Sequence, residues 1–317
     1  MEPEEAGLSK LAAVMACTAL AFFYVAILYA PTVILRLPPP ISYKEFMIRR
    51  FICAVVSSIV SVVACGLILP IRSREASVLF GVFGIRVDHI VSIKWQAVVF
   101  PLSLTSLMYA GSLMLKSMLL LNSMKEHAAH GGGISLDCIK NAFRDVIGWI
   151  DFVAHDVSAW RNYVVAPVTE ELVFRACMIP LLLCRGFRIS SVIFLCPTFF
   201  SLAHLNHWMK IYSRENYSFF KASMVTGLQL AYTVVFGSYA SFLFIRTGHI
   251  FSPLVAHIFC NLMGLPVLFA QKKGIVSVAF VAGLVAFACL IFPVTEPGLY
   301  NDRTSDCPCW QGYCSWS

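Results

Sequence analysis

Five long stretches of this chain contain no acidic or basic residue, and charged residues flank each of them. The stretches run over residues 11–30, 51–71, 97–115, 222–245 and 274–295. A helix needs about 20 consecutive apolar residues to cross the hydrocarbon core of a bilayer. The five stretches therefore predict membrane-spanning helices, and this pattern limits the possible folds more than any other feature of the sequence.

The composition agrees with this interpretation. Hydrophobic residues make up 59% of the chain and charged residues only 13%, with a mean hydropathy of +0.77. A soluble domain carries about 25% charged residues, so an ordinary soluble enzyme is excluded. Three further apolar stretches contain polar residues, at 164–184, 189–205 and 250–271. Together they predict an all-α fold, a polytopic membrane helical bundle of about eight transmembrane helices.

The polar segment 122–156 divides the chain into two halves. Its apolar residues recur at helical spacing, at Ile139, Phe143, Ile147 and Ile150. This pattern predicts an amphipathic helix at the membrane interface within an otherwise polar loop. We therefore expect a single integral-membrane domain over residues 1–317, with N-terminal helices in 11–121, the polar loop in 122–156, the helices that carry the chemistry in 157–295, and a tail in 296–317.

Net charge and cysteine content exclude two other kinds of function. The formal net charge is +7, but the basic residues occur singly or in pairs at the predicted helix ends, where they reach the lipid head groups. We therefore expect membrane lipid and no nucleic acid as a partner. Of the 12 cysteines, most lie inside apolar stretches, where a thiol acts as a small hydrophobic group. No disulfide framework is predicted.

Charged residues occur inside one apolar segment, between Pro167 and Arg175. Ionisable groups within a membrane span are costly and usually face a partner or a water-filled cavity. On a helix Glu171 and Arg175 share a face, whereas Glu170 points about 100° away from Glu171. This spacing predicts a Glu171–Arg175 ion pair and leaves Glu170 available as a base. Pro167 suits the first turn of a helix, which places both glutamates near a helix N-terminus.

Two further polar pairs follow, each separated by one helical turn. Phe200 precedes His204, and His257 precedes Asn261. Together with Glu170 these residues supply a carboxylate, imidazoles and an amide, which are the groups that activate water and stabilise a tetrahedral oxyanion. The pattern favours amide hydrolysis. His207 lies three residues after His204 and is the alternative imidazole for contact with the water.

These three motifs, E-E-x-x-x-R, F-x-x-x-H and H-x-x-x-N in that order, resemble those of the type II CAAX prenyl endopeptidases, the Ras-converting enzymes. The resemblance implies an endopeptidase of the endoplasmic reticulum membrane. Its substrates would be farnesylated or geranylgeranylated CAAX proteins, small GTPases such as Ras among them, and it would remove their last three residues.

The same resemblance implies a role for each motif residue, without a cofactor or a metal. Glu170 and His204 activate the attacking water, and His257 and Asn261 stabilise the oxyanion. The positions that support them are Glu171, Arg175 and Phe200.

Other functions use the same residues and stay open at the level of the sequence. A metal held by Glu170, His204 and His257 would give a metal-dependent membrane protease, although the H-E-x-x-H motif is absent. A proton relay through the same glutamates and histidines would give a proton-coupled transporter. A scaffold that binds prenylated tails without cleaving them is a third possibility, but it does not require both the base and the oxyanion pair.

Overall fold

A computed structural model of the protein describes residues 9–69, 76–85, 95–129, 136–202, 208, 212, 218–265 and 274–300. Every regular element within these ranges is a helix. The predicted class, an all-α membrane protein, is therefore confirmed. The tail over 301–317 lies outside the described residues.

Eleven helices contain most of the described residues. In chain order they are α1 (Lys10–Ala26), α2 (Tyr43–Ile68), α3 (Ala76–Val82), α4 (Gln96–Met108), α5 (Ala110–Ala129), α6 (Leu136–His155), α7 (157–183), α8 (Ile189–Leu202), α9 (Phe219–Thr247), α10 (Phe251–Met263) and α11 (Gly274–Val294). Short helical turns follow α1 and α11.

Four of the described helices are long and apolar enough to cross a membrane, and they match four of the five charge-free stretches. They are Lys10–Val33, Tyr43–Ile68, Phe219–Thr247 and Gly274–Val294. The fifth stretch, 97–115, is bent by 81° where α4 meets α5, and it makes a fifth span only if the bent pair is counted as one. The predicted count of eight is not confirmed, because α8 and α10 are shorter apolar helices.

The bend between α4 and α5 is packed closely against α11. A β-carbon added at Gly283 would lie 2.2 Å from the Leu107 carbonyl oxygen and 2.6 Å from the Ala110 β-carbon. Only a glycine leaves room for this approach. The close contact therefore depends on the absence of a side chain at Gly283.

The centre of the bundle is formed by the second half of α7. Its segment Glu171–Cys177 packs against α1, α2, α8 and α9. Val173, Phe174 and Cys177 in this segment are fully or almost fully buried. Enclosure on four sides explains how a segment with two charged side chains, Glu171 and Arg175, can lie in the middle of an apolar protein, because the two charges face each other there.

Segment 122–156 contains more helix than the sequence indicated. Its first residues belong to α5, and Leu136–His155 form α6. Three of the apolar residues that define the predicted amphipathic face, Phe143, Ile147 and Ile150, are exposed. The position of this helix at a membrane interface stays a prediction.

Candidate active site

The helix that carries both glutamates is longer than the sequence indicated. The Asp156 carboxylate caps α7 by accepting a hydrogen bond from the Ala159 amide at 2.8 Å, and the helix continues to Leu183. Glu170 therefore lies about three and a half turns inside it. The prediction that the glutamates begin a helix is wrong, and the helix dipole, which acts within the first turn, does not stabilise them.

Two π-helical segments explain why Pro167 does not start the helix. One covers Arg161–Val165, just before the proline, and the other covers Glu171–Cys177. A wider helical turn avoids the clash and the missing hydrogen bond that a proline causes inside a regular α-helix. π-helical turns occur often at functional sites, and here Glu170 lies between the two segments and Glu171 begins the second.

Glu171 connects two positively polarised groups inside the bundle. One carboxylate oxygen, Oε1, accepts a hydrogen bond from Arg175 Nη1 at 3.0 Å and lies 2.7 Å from His257 Nδ1. The side chains of Glu171 and Arg175 are 0% and 1% exposed. The ion pair predicted from helical spacing is thus present. Its contact with His257 was not predicted and fixes the orientation of that imidazole.

The other nitrogen of His257 faces Glu170. The distance from His257 Nε2 to Glu170 Oε2 is 3.8 Å, longer than a direct hydrogen bond. The Glu170 side chain is 16% exposed and lies at the edge of a cavity, unlike its fully buried neighbour. The two adjacent glutamates therefore have different environments, one structural and one accessible.

Asn261 lies on the same cavity, one turn of α10 beyond His257. Its Nδ2 donates a hydrogen bond to the Asn162 carbonyl oxygen at 2.8 Å. The cavity has a volume of about 380 Å³ and is lined by Glu170, Phe200, His257 and Asn261 among others. Three of the four predicted catalytic residues and one supporting residue therefore converge on one space.

Aromatic rings enclose the imidazole and the buried ion pair. The Arg175 guanidinium lies 4.7 Å from the centre of the Phe200 ring, a cation–π contact. Phe200 and Phe236 lie 6.4 Å and 5.2 Å from the His257 ring. These rings exclude water from the far side of the site, which strengthens the charged interactions within it.

His204 and His207 lie outside the described residues, so the choice between them stays a prediction. Among the residues that the structure describes, no three His, Cys, Asp or Glu side chains are grouped as a metal site would require. His204, one of the three ligands of the metal-dependent alternative, is not among them.

Most of the cavity lining was not predicted from the sequence, and its unpredicted polar residues include Tyr24, Arg50, Arg161 and Asn162. Tyr24 and Thr169 share a hydrogen bond between their hydroxyls at 2.8 Å, which links α1 to α7. The arginines resembled ordinary basic residues at helix ends. The one available signal was the four-residue spacing of Asn162, Ala166 and Glu170, which places them in a row along α7.

A helical membrane protein with a carboxylate, an imidazole and an amide on one enclosed cavity has the side chains of an intramembrane hydrolase. Comparison with known proteins identifies the family. Residues 156–263 match the family described as "Type II CAAX prenyl endopeptidase Rce1-like". This range begins at the cap of α7 and ends with α10.

Curated relatives match much more of the chain. "CAAX prenyl protease 2" of Arabidopsis thaliana is 59% identical over the full length of both proteins. "CAAX prenyl protease 2" of Homo sapiens is 32% identical over 93% of this chain and 84% of its own length. "Probable CAAX prenyl protease 2" of Schizosaccharomyces pombe is 32% identical over 50% of this chain and 53% of its own length. No solved structure shows a significant match.

The chain belongs to the type II CAAX prenyl endopeptidase family, and it is a protease that hydrolyses peptide bonds.

Proposed function

We propose that this protein removes the C-terminal tripeptide from farnesylated or geranylgeranylated CAAX proteins, with Glu170 as the general base. The observation that carries the proposal is the facing pair Glu170 and His257, 3.8 Å apart on a cavity that also contains Asn261. Small GTPases of the Ras kind fit this substrate class. The proposed location is the endoplasmic reticulum membrane, where a prenyl chain can approach the site from the bilayer.

In the proposed reaction Glu170 takes a proton from a water that His204 also holds. The water oxygen attacks the carbonyl carbon of the prenylated cysteine, and the C–N bond to the next residue breaks. Glu170 returns its proton to the leaving amine. The second proton of the water passes from the new carboxyl group to the leaving amine. The products are a prenylcysteine carboxylate and a tripeptide with an ammonium N-terminus, so atoms and charges balance without a cofactor.

His257 and Asn261 are the proposed donors to the oxyanion. Nδ1 of His257 lies 2.7 Å from Glu171 Oε1, so that Nε2 is the ring nitrogen that faces Glu170 and the cavity. A preorganised donor of this kind lowers the activation barrier by about 3–4 kcal/mol.

The test is the release of tripeptide from a farnesylated tetrapeptide by the purified protein. We expect Glu170→Gln to lower the rate by more than about 1,000-fold, because the base is lost and an oxyanion donor alone is worth about 100- to 1,000-fold. Glu296→Gln is the matched control, since that exposed glutamate follows α11 and does not line the cavity. Near-normal cleavage by Glu170→Gln would disprove the assignment.

The same assay compares His204→Ala with His207→Ala. A much larger loss for His204→Ala is expected, and equal losses would contradict the assignment of the water contact to His204. A chelator distinguishes the proposed mechanism from the metal-dependent alternative. Cleavage continues in its presence under the proposed mechanism and stops if a metal is required. Family membership favours proteolysis over proton-coupled transport.

A further inference from the structure

Two arginines line the active-site cavity and have no described counter-ion. Arg50 lies on α2 and Arg161 on α7, and both belong to the lining that includes Glu170 and Asn261. None of the carboxylates in the described part of the chain forms an ion pair with either. Their guanidinium groups are close enough to repel each other. Two adjacent positive charges on a cavity wall attract an anion.

Arg49, the residue before Arg50 on α2, is an arginine with structural partners. Arg49 forms an ion pair with Glu45 and donates a hydrogen bond to the Pro38 carbonyl oxygen at 2.7 Å. Arg50, in contrast, forms no hydrogen bond or ion pair among the described residues, and its guanidinium packs 5.6 Å from the centre of the Phe46 ring. The donors of Arg50 are therefore available to a ligand, whereas those of Arg49 are not.

Arg161 is connected to the site through its neighbour Asn162. Its Nε donates a hydrogen bond to the Asn162 side-chain oxygen at 2.9 Å, and the Asn162 carbonyl accepts one from Asn261 at 2.8 Å. The proposed oxyanion donor and the arginine are thus linked through one residue. Within the described structure, the two Nη groups of Arg161 make no hydrogen bond, so they are available to a ligand.

Arg161 and the proposed base line the same cavity but are separated along α7. Arg161 precedes Glu170 by nine residues on one continuous helix, a rise of about 13 Å. Arg50 lies within electrostatic range of Arg161. Tyr24, which also lines the cavity, lies within electrostatic range of both Glu170 and Arg50.

The proposed substrate has an anion at the matching distance. A tripeptide beyond the scissile bond ends in a free carboxylate, and three extended residues span about 10–11 Å. This length fits the 13 Å rise once the reach of the arginine side chains is included. An arginine binds a carboxylate through two parallel hydrogen bonds.

We propose that Arg50 and Arg161 bind the C-terminal carboxylate of the substrate tail and thereby position the bond three residues away at Glu170. The inference rests on the proposed function and adds to it a cause for the length of the released peptide. The separation between the arginines and the base sets the number of residues between the scissile bond and the terminal carboxylate. Longer tails, and tails without a free carboxylate, are cleaved poorly because they cannot bind the arginines while the scissile bond lies at Glu170.

The experiment compares two farnesylated tetrapeptides that differ only in the last group, a free carboxylate or a carboxamide. The protein without substitution is expected to cleave the carboxamide about 10- to 100-fold less efficiently, mainly through a higher KM, since a hydrogen-bonded charge pair is lost. Arg50→Gln is expected to lose a similar factor on the carboxylate peptide and little on the carboxamide. Arg161→Gln is expected to behave in the same way.

Arg49→Gln is the matched control, because it removes the same charge from the adjacent position outside the cavity. It should leave the preference for the free carboxylate unchanged. Equal cleavage of both peptides by the unsubstituted protein would overturn the inference even if every variant folds. So would an equal loss on both peptides in Arg50→Gln, the result expected if the arginines hold a lipid phosphate. Absence of cleavage of any prenylated peptide would instead refute the proposed function itself.

Discussion

Two helices of this protein invert the relation between hydrophobicity and burial that soluble proteins follow. α11 has a mean hydropathy of 2.8 over its most apolar window, yet only 11% of that window is buried. The central part of α7 carries Glu171 and Arg175, and both are almost completely buried. The most apolar of the candidate spans is thus largely exposed, whereas the α7 segment with two charged side chains lies inside the bundle.

The difference shows which surroundings stabilise an apolar side chain and which stabilise a charged one in this protein. An apolar side chain on α11 gains little from protein contact if its surroundings in a membrane are equally apolar. A charge on α7 is stable only with a partner, and Glu171 has two, Arg175 and His257. The buried charges of Glu171 and Arg175 therefore belong to the site, whereas apolar composition alone does not place a helix inside the bundle.

The largest effect on folding should come from breaking the buried ion pair. Glu171→Gln leaves Arg175 without a counter-charge, and such a loss costs about 3–5 kcal/mol. Thermal unfolding in detergent should show a correspondingly lower midpoint. Cleavage should also be lost, because His257 no longer has its anchor.

A double variant separates stability from function at the same site. Replacing both members by leucine, Glu171→Leu with Arg175→Leu, removes the isolated charge and is expected to restore most of the stability. Cleavage should stay absent because the imidazole is not oriented. A single variant as stable as the original protein would show that the pair does not hold α7 in place.

A smaller effect is expected where α9 touches the buried pair. A β-carbon at Gly237 would lie 2.8 Å from the Pro197 β-carbon and 3.2 Å from Arg175 Nη2. Gly237→Ala should therefore destabilise the protein by about 1–3 kcal/mol, the usual cost of overpacking. Gly227→Ala is the matched control on the same helix, since nothing lies within 4 Å of its added carbon. Equal unfolding midpoints for both variants would contradict the close packing.

The smallest effect is expected on the outer face of α11. Leu290 is 42% exposed, and Leu290→Ala should change stability by less than about 0.5 kcal/mol. The same substitution at Leu182, which is 0% exposed in α7, should cost about 2–5 kcal/mol. Thermal unfolding midpoints of the two variants, measured side by side, test the difference between α11 and α7 directly. Similar losses of stability in both variants would contradict it.

Much of the fold follows from the sequence, because a charge-free stretch about 20 residues long has few alternatives to a membrane helix. Four such stretches are spans of the expected kind. The 81° bend between Met108 and Ala110 was not predicted, because its sequence is as apolar and uninterrupted as a straight span. The start of α7 was misplaced for a similar reason, since the π-helical segment that accommodates Pro167 has no known sequence signal.

The site was predictable to the extent that its contacts are local. Glu171 and Arg175 lie four residues apart, and helix geometry alone brings them together. The contact between Glu171 and His257 joins residues 86 positions apart, and that between Asn162 and Asn261 spans 99. Periodicity within one helix contains no information about such pairs.

The sequence by itself determined the class of protein, four of its candidate spans, and the ion pair within one helical turn, because hydropathy and helical spacing act over short distances. Tertiary structure alone decided that Glu171 also contacts His257, and that Glu170 shares a cavity with His257 and Asn261. It also decided that Arg50 and Arg161 line that cavity. These outcomes depend on how α2, α7 and α10 pack, and packing is set by the shapes of surfaces that are distant in the chain.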